Sequence, residues 1–251
     1  MFDHLFINGC SHTAGSEIEG SGIGEGNYNR ENCYSAQIAK KLGWKYTNIA
    51  MPGGSNDYIK RTTLLWILDN PEKAKTTHFF INWTGAERTE YFYDYLDGNS
   101  DTNKFIPYTP DKNVLHLHPQ HYPDWAPVAI RKNLDSLSKH LFINPVQWQI
   151  NRYMNIIELQ SFFKANSLSY TFRNSFQACE NSKRYKYYAD KIDKENFLYW
   201  DDENYSFFEN CLNQGYSVEG QMYWHHRLPA HTYWADELWE SNFKLYSSNH
   251  L

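Results

Sequence analysis

The stretch Phe6-Ile-Asn-Gly-Cys-Ser-His-Thr-Ala-Gly15 decides the fold of this chain. The apolar run from Leu5 to Ile7 predicts a buried strand, which Gly9 ends. Ser11 then falls on the tight turn at the carboxyl end of that strand, where ligands gather in open α/β sheets. A serine placed there either acts as a nucleophile or caps the following turn. This stretch alone leaves both interpretations open.

Outward from this stretch, strands and helices alternate. Continuous apolar runs predict strands, and apolar residues at helical spacing between capping residues predict helices. This alternation predicts a parallel sheet with right-handed crossovers. The expected fold class is α/β, a three-layer α/β/α sandwich of flavodoxin-like topology. Strands are predicted at 3–8, 45–49, 77–82 and 169–173, and helices at 32–42, 55–70, from 144 onward, and at 229–246.

Two irregular stretches interrupt this rhythm, at about 91–142 and about 174–220. Both lack sustained periodicity, and the first is rich in Tyr, Pro, Asn and His. Loops of this length within a compact domain are usually functional or form small insertions. We therefore expect a single domain over residues 1–251 with two aromatic-rich insertions. These insertions are expected to cover the edge of the sheet where the strands end and Ser11 lies.

Composition excludes several classes of partner. A net charge of −5, a pI near 6.1 and the lack of any Lys/Arg run argue against nucleic acid. No apolar stretch approaches the roughly 18 residues that span a bilayer. The N-terminus lacks the features of a signal peptide, so we expect a cytoplasmic protein, with association with a virion as the alternative. The four scattered cysteines signal neither a zinc site nor a disulfide framework.

Aromatic side chains make up 18% of the residues, including 20 Tyr and 9 Trp. With a mean hydropathy of −0.73, many of these rings must lie at the surface or in clefts. Such rings either bind the faces of sugars or pack on one another.

The loops after the first three predicted strands carry the residues that acyl transfer needs, because parallel strands end at one edge of a sheet. Ser11 supplies a hydroxyl and its own N–H, and Gly53 lets backbone approach a substrate closely. The Asn82 amide or the Thr84 hydroxyl supplies a side-chain donor for the oxyanion. The segment from 224 to 231 adds an imidazole. No cofactor and no metal are needed.

This ordered set resembles the SGNH (GDSL-type) hydrolase superfamily, and more closely its phage-encoded and bacterial members. The family's first block, usually GDS, is similar to Gly9-Cys10-Ser11, and its second block, N-x-A/G-x-x-G-x-S/T, matches 48–55. Its C-terminal block resembles residues 225–235 and implies that His225 is the base and that His231 takes the helix position. His226 and His231 stay open as alternative bases. The third block, G-x-N-D, aligns only loosely with residues 82–85.

The sequence departs from the family at the position of the acidic residue that partners the base histidine. Met222 stands where the family has an Asp three residues before the base. That Asp orients the imidazole and stabilises its cation. A backbone carbonyl or Glu219 would have to replace it.

Three other features of the sequence have weaker interpretations. His116, His118 and His121 have irregular spacing and no acidic partner at a fixed offset, which favours an aromatic-rich loop over a metal site. The glycines at 22–26 lack the lysine of a phosphate-binding loop. Arg88 and Glu90 form a surface ion pair or line the cleft.

The sequence therefore predicts a serine esterase that removes a small acyl group, such as acetyl, from a carbohydrate. Its catalytic residues would be Ser11 and His225, with Gly53, Asn82 and Thr84 at the oxyanion. The alternative is an inactive SGNH-fold protein that binds carbohydrate or has a structural role, possibly in a phage. Neither the substrate nor the oligomeric state is fixed by the sequence.

Overall fold

The computed structural model describes residues 2–19, 27–92, 114–117, 144–219 and 225–247. The strands of its main sheet are separated by helices, as the sequence predicts. In chain order the elements are β1 (His4–Asn8), α1 (Ser11–Ala14), α2 (Asn27–Asn32), α3 (Tyr34–Leu42), β2 (Lys45–Asn48), α4 (Asn56–Asp69), α5 (Pro71–Ala74), β3 (Thr77–Trp83), β4 (Thr89–Phe92), β5 (Val114–Leu117), α6 (Pro145–Ala165), β6 (Ser169–Asn174), α7 (Lys186–Ala189), a 3₁₀ turn (Glu203–Tyr205), α8 (Phe207–Asn213), β7 (Val218–Glu219), β8 (His225–His226), α9 (Leu228–Leu238), a π-helical turn (Trp239–Phe243) and α10 (Lys244–Ser247).

Four parallel strands form the main sheet, in the order β2-β1-β3-β6. In this register Leu5 of β1 lies beside Tyr46 on one side and His78 on the other. Since all four strands run the same way, the loops that follow them meet at one edge. The predicted α/β class with a parallel sheet is confirmed.

Helices cover both faces of this sheet. Alternate side chains of the inner strands point to opposite faces, and each set lies in a separate apolar core. Burying each large apolar side chain contributes about 1.5–3 kcal/mol. One core joins the sheet to α4 and α6 through Phe6, Phe79, Ile81 and Trp83, and the other joins it to α3 and α9 through Leu5, Ile7 and Phe80.

Local capping signals fix several helix ends where the sequence predicts them. Gly43 ends α3 in the left-handed region, with φ of 67°. The Ser55 side chain accepts a hydrogen bond from the Tyr58 N–H and so begins α4. Asn144 caps α6 in the same way, and Pro145 occupies its first turn.

The structure corrects three details. The helix predicted at 32–42 is divided at Cys33 between α2 and α3. The sequence predicts an apolar stripe of Ile150, Tyr153, Met154 and Ile157 for the helix from 144 onward, and of these Met154 is 38% exposed. The final helix contains a π-helical turn between α9 and α10.

The second insertion is not irregular. It contains α7, the 3₁₀ turn, α8 and β7, and it contributes Phe197 and Trp200 to the core beside α6. Of the first insertion, only 91–92 and 114–117 lie within the described residues, in an antiparallel pair formed by β4 and β5. A single domain over 1–251 stays a prediction.

Candidate active site

A tight turn after β1 places Ser11. Gly9 is required there because an added Cβ would lie 2.7 Å from the Thr13 Cβ and 3.1 Å from the Asn82 carbonyl oxygen. Cys10 is the N-cap residue of α1, and Ser11 is its first residue. The sequence therefore folds the chain back immediately after the strand, with Ser11 at the edge where the loops meet.

The Ser11 side chain caps no helix. It is 5% exposed, and the first turn of α1 closes through the Cys10 carbonyl, which accepts from the Thr13 and Ala14 N–H groups. The Ser11 hydroxyl has no hydrogen-bond partner among the described residues, His225 included. Its N–H, at the first helical position, has no partner within α1. Both groups are thus available to a ligand.

The loop after β2 is bound directly to this turn. Asn48 Nδ2 donates to the Thr13 carbonyl across 3.1 Å, and the Met51 N–H donates to the Gly9 carbonyl across 3.1 Å. Gly54 is needed because a Cβ would lie 2.9 Å from the Met51 carbonyl oxygen. Gly53 is exposed with φ of 75°, and its N–H makes no hydrogen bond with the described residues.

The loop after β3 is held by Asn56, the first residue of α4. Its side chain accepts from the Thr84 N–H at 3.0 Å and donates to the Gly85 carbonyl at 3.0 Å. Within this fixed loop, Asn82 Nδ2 and Thr84 Oγ1 are buried and have no hydrogen-bond partner in the part of the chain that the structure describes. Buried polar groups are normally paired, so both are candidate contacts for a ligand.

Strand β8 brings His225 to the same edge, where α1 packs against it. His225 Nδ1 lies 2.8 Å from Glu17 Oε2, and the carboxylate is fully buried while the imidazole is 11% exposed. Nε2 makes no hydrogen bond with the described residues. A carboxylate on Nδ1 fixes the tautomer that leaves Nε2 as a proton acceptor.

Glu17 sits in a backbone conformation that is unusual for its residue type. Its φ is 61°, in the left-handed region, where residues other than glycine are uncommon. The Glu17 carbonyl accepts a hydrogen bond from Arg227 Nη1 at 2.6 Å. Such strain costs on the order of 1–3 kcal/mol and concentrates at functional sites.

The neighbouring histidines have other contacts. His226 Nε2 lies 3.1 Å from the Phe208 carbonyl and Nδ1 lies 3.4 Å from the Ser217 carbonyl, so both nitrogens face main-chain acceptors. His231 Nδ1 accepts from the Tyr34 N–H at 3.3 Å, and its ring stacks on Tyr34. Neither imidazole resembles a free base.

Burial keeps this group of imidazoles neutral. It lowers the pKa of His225 below 6.5, with a further reduction from Arg88, while the hydrogen bond and charge of Glu17 oppose the shift. Burial also lowers the pKa of His231 to about 3 and that of His12 well below 6.5. A neutral His225 is the form that accepts a proton.

Arg88 lines this site, whereas Glu90 does not pair with it. Glu90 accepts two hydrogen bonds of 2.9 Å from Arg61 of α4. The Arg88 guanidinium instead lies 5.7 Å from the Phe176 ring centroid, and Phe176 stacks on His12. Arg88 is therefore a residue of the cleft and has no ion pair among the described residues.

The described residues form neither a metal site nor a membrane-spanning helix. No three His, Cys, Asp or Glu side chains in them lie close enough together to hold a metal ion. His118, His121, Met222 and the glycine-rich segment at 22–26 lie outside those residues. The described helices include none that is long and apolar enough to cross a bilayer.

Exposed aromatic rings of the second insertion pack on each other. Tyr199 and Tyr205 stack with centroids 4.0 Å apart, and the Arg173 guanidinium lies 4.9 Å from the Tyr199 ring. These rings are partly exposed. The first insertion, which was expected to roof the edge, lies largely outside the described residues.

The sequence prediction lacks one residue of the site, Glu17, and leaves a second, Arg88, between a surface ion pair and the cleft. Glu17 replaces Met222 and Glu219 as the candidate partner of the histidine, and Arg88 joins the cleft. The available signal for Glu17 was that it is the first acidic residue after Ser11, within the same loop. Its pairing with His225 spans 208 residues and carries no sequence pattern.

Residues 18–243 match a Family of unknown function (DUF6071), and the chain belongs to this family. No curated protein sequence matches it. Among solved structures, the chain is similar to the psychrotrophic esterase EstA from Pseudoalteromonas sp., with 13% identity, a TM-score of 0.49, and coverage of 97% of this chain and 98% of that one.

Two further structures are similar at comparable levels. LAE5, an alpha/beta hydrolase from the metagenome of Lake Arreo, Spain, has 12% identity and a TM-score of 0.47, with 95% and 94% of the two chains covered. A carbohydrate esterase described as having divergent catalytic and non-catalytic binding functions has 11% identity and a TM-score of 0.42. In that case 94% of this chain and 66% of the other are covered.

Proposed function

We propose that this protein is a serine esterase of SGNH type, with Ser11 as nucleophile, His225 as general base and Glu17 as the acid that orients it. The observation that carries the proposal is the buried hydrogen bond between His225 and Glu17 beside α1. A buried carboxylate on one imidazole nitrogen and an unengaged hydroxyl nearby are the parts of a Ser-His-acid triad. Apo geometry often lacks the nucleophile–base hydrogen bond, which forms when substrate is bound.

The reaction follows from these roles. The Ser11 oxygen attacks the ester carbonyl while His225 Nε2 takes the hydroxyl proton. Collapse of the tetrahedral intermediate breaks the ester bond, and His225 returns that proton to the leaving alcohol. Water then attacks the acyl-enzyme while His225 accepts a proton from it. The bond between the Ser11 oxygen and the acyl group breaks, His225 gives its proton to the Ser11 oxygen, and the acid is released.

The oxyanion needs donors that are not already used. The N–H groups of Ser11 and Gly53 and the side chains of Asn82 and Thr84 meet this condition, because none has a partner among the described residues. Donors fixed in advance stabilise the developing charge without reorganisation. Asn56 supports this role by holding the loop of Thr84 in place.

The substrate we propose is a short acyl ester carried by a carbohydrate. The nearly buried Ser11 supports a small acyl group, since a long chain would need an open path to the nucleophile. The high aromatic content supports a sugar as the alcohol. Acetyl is the smallest group that satisfies both conditions.

Hydrolysis of p-nitrophenyl acetate by the wild type, Ser11→Ala and His225→Ala tests the proposal. We expect both variants to keep their melting temperature and to lose activity by a factor on the order of 10⁴. Ser161→Ala, on the exposed face of α6, is the matched control and should stay active.

Labelling with a fluorophosphonate adds a second measurement, because it reports on the nucleophile without an ester. We expect labelling of the wild type and of Ser161→Ala but not of Ser11→Ala. A folded wild type that neither hydrolyses esters nor reacts with the probe would overturn the proposal and favour a binding protein.

A further inference from the structure

A partly buried cation without a counterion among the described residues lies beside the proposed triad. Two of its nitrogens, Nε and Nη1 of Arg88, are inaccessible to solvent and have no hydrogen-bond partner within the described part of the chain. Arg88 also takes part in no ion pair there. Donors of a charged group that are buried without a partner cost free energy, so such donors are normally paired or bind a ligand.

The surroundings of Arg88 supply an aromatic ring but no ion-pair partner among the described residues. Its guanidinium lies 5.7 Å from the Phe176 ring, and that ring stacks on His12 with a centroid distance of 5.8 Å. The His12 ring in turn lies 5.0 Å from the His225 ring. Both histidines are held neutral, and the nearby carboxylate of Glu17 is already bound to His225.

Two other arginines of the protein use their terminal nitrogens within the fold, although Arg152 Nε and two nitrogens of Arg173 are also buried without a partner among the described residues. Arg152 is also buried, yet it donates to the Ala178 carbonyl and to the Asn174 side chain. Arg61 forms a two-point ion pair with Glu90. Arg88 differs from both because its unused donors lie beside the candidate catalytic histidine.

We propose that Arg88 binds a carboxylate of the substrate, so that the preferred ester carries an acidic group next to the scissile bond. This inference rests on the proposed function for the location of the ester. The carboxylate belongs either to the alcohol, as in an acetylated sugar acid, or to the acyl group, as in a hemisuccinate. Arginine binds carboxylates through charge-assisted hydrogen bonds, which are stronger than neutral ones.

Pairs of esters that differ only in whether they carry an acidic group test whether Arg88 binds a carboxylate. The alcohol arm compares acetylated glucuronic acid with acetylated glucose, and the acyl arm compares p-nitrophenyl hemisuccinate with p-nitrophenyl acetate. In at least one arm, we expect the wild type to prefer the acidic ester by kcat/KM and Arg88→Gln to lose this preference, with a KM rise on the order of 10- to 100-fold. The arm that responds identifies the source of the carboxylate.

Two variants keep the result interpretable. Arg88→Lys retains the charge and should retain part of the preference, which also guards against a glutamine variant that fails to fold. Arg184→Gln removes an exposed arginine and should change nothing. No preference for either acidic ester in the wild type would overturn the proposal, as would an equal loss of kcat on acidic and neutral esters, which would place Arg88 at the oxyanion instead.

Binding without turnover separates this proposal from the esterase itself. Calorimetric titration of Ser11→Ala with glucuronate, succinate and glucose should show binding of at least one acid that Arg88→Gln abolishes. Such binding in a protein without esterase activity would support the carboxylate site and contradict the proposed function. Esterase activity without binding of either acid would support the proposed function and contradict the carboxylate site.

Discussion

The Glu17 carbonyl oxygen accepts a hydrogen bond from Arg227, which lies two residues after the histidine that binds the Glu17 carboxylate. One short segment thus holds Glu17 by both its main chain and its side chain. These contacts stabilise a left-handed backbone that Glu adopts only under constraint. The acid of the proposed triad is therefore fixed in position before any substrate binds.

Glu17→Gln tests the role of this carboxylate. We expect the variant to fold and turnover to fall by a factor on the order of 10⁴, because an uncharged amide neither fixes the tautomer nor stabilises the imidazolium. Steady-state hydrolysis of p-nitrophenyl acetate measures this loss of turnover. Glu19→Gln, two residues along and exposed, is the matched control. Equal activity of the two variants would remove Glu17 from the mechanism.

The pH dependence of kcat/KM gives an independent measurement. The pKa of His225 lies below 6.5 in the folded protein, so activity should fall only as the pH drops below that value. Glu17 raises this pKa and Arg88 lowers it. The acidic limb should therefore move to lower pH in Glu17→Gln and to higher pH in Arg88→Gln, and movement in the same direction would contradict these electrostatic roles.

Thr84→Val and Asn82→Leu test the oxyanion donors. Each removes a buried polar atom that has no protein partner, so the free energy of unfolding should change little. Loss of a true oxyanion donor lowers kcat by on the order of 10²- to 10³-fold. Urea unfolding and kcat, measured on the same preparations, separate the two effects. If kcat is unchanged in both variants, the backbone N–H groups alone must donate hydrogen bonds to the oxyanion.

Gly9→Ala tests the turn that places Ser11. The added methyl would overlap the Thr13 side chain, and we expect a loss of about 1–3 kcal/mol in the free energy of unfolding. Gly53→Ala is the useful comparison, because an added Cβ there meets no atom within 4 Å and only the positive φ opposes it. Chemical denaturation of both variants measures the difference, and equal stability of Gly9→Ala and wild type would show that the turn adapts.

His78 makes stability depend on pH. It is buried in β3 with hydroxyl contacts from Ser169 and Thr171, and burial lowers its pKa to about 3. Below pH 6.5 the unfolded chain binds a proton that the folded protein excludes. Stability should therefore fall by up to about 1.4 kcal/mol per pH unit for this residue as the pH drops toward 3.

The variant His78→Gln should be less stable at pH 7 but should lose less stability between pH 6 and pH 4. Phe80→Leu, on the same strand, destabilises without a titrating group and should keep the wild-type slope. Urea unfolding at several pH values measures both. An unchanged slope in His78→Gln would mean that the other buried histidines dominate.

Local signals predict most of the fold. Gly43, Ser55 and Asn144 act at helix ends through contacts within their own turns, so the sequence reveals them. The apolar stripe of α6 is correct at Tyr153 and wrong at Met154, and it leaves out polar side chains that are buried on the same helix. Arg152 and Gln160 are buried through hydrogen bonds to distant carbonyls, and apolar periodicity does not register such residues.

The residues of the candidate site also fall into two groups, those that local sequence predicts and those that it does not. Ser11 and His225 follow from motifs whose residues are neighbours in the chain, although their roles stay proposals. Glu17 and Arg88 reach the site through contacts with residues far away in sequence, and the same residue types are common on any surface. Only the folded chain distinguishes them.

The position of Glu17 also changes how relatives of this protein should be sought. A search that demands an acid three residues before the histidine would discard this sequence at Met222. If Glu17 is the acid, the segment preceding the histidine is free to vary in length and composition during evolution. The diagnostic signature then moves to the amino terminus, as a glutamate six residues after the serine.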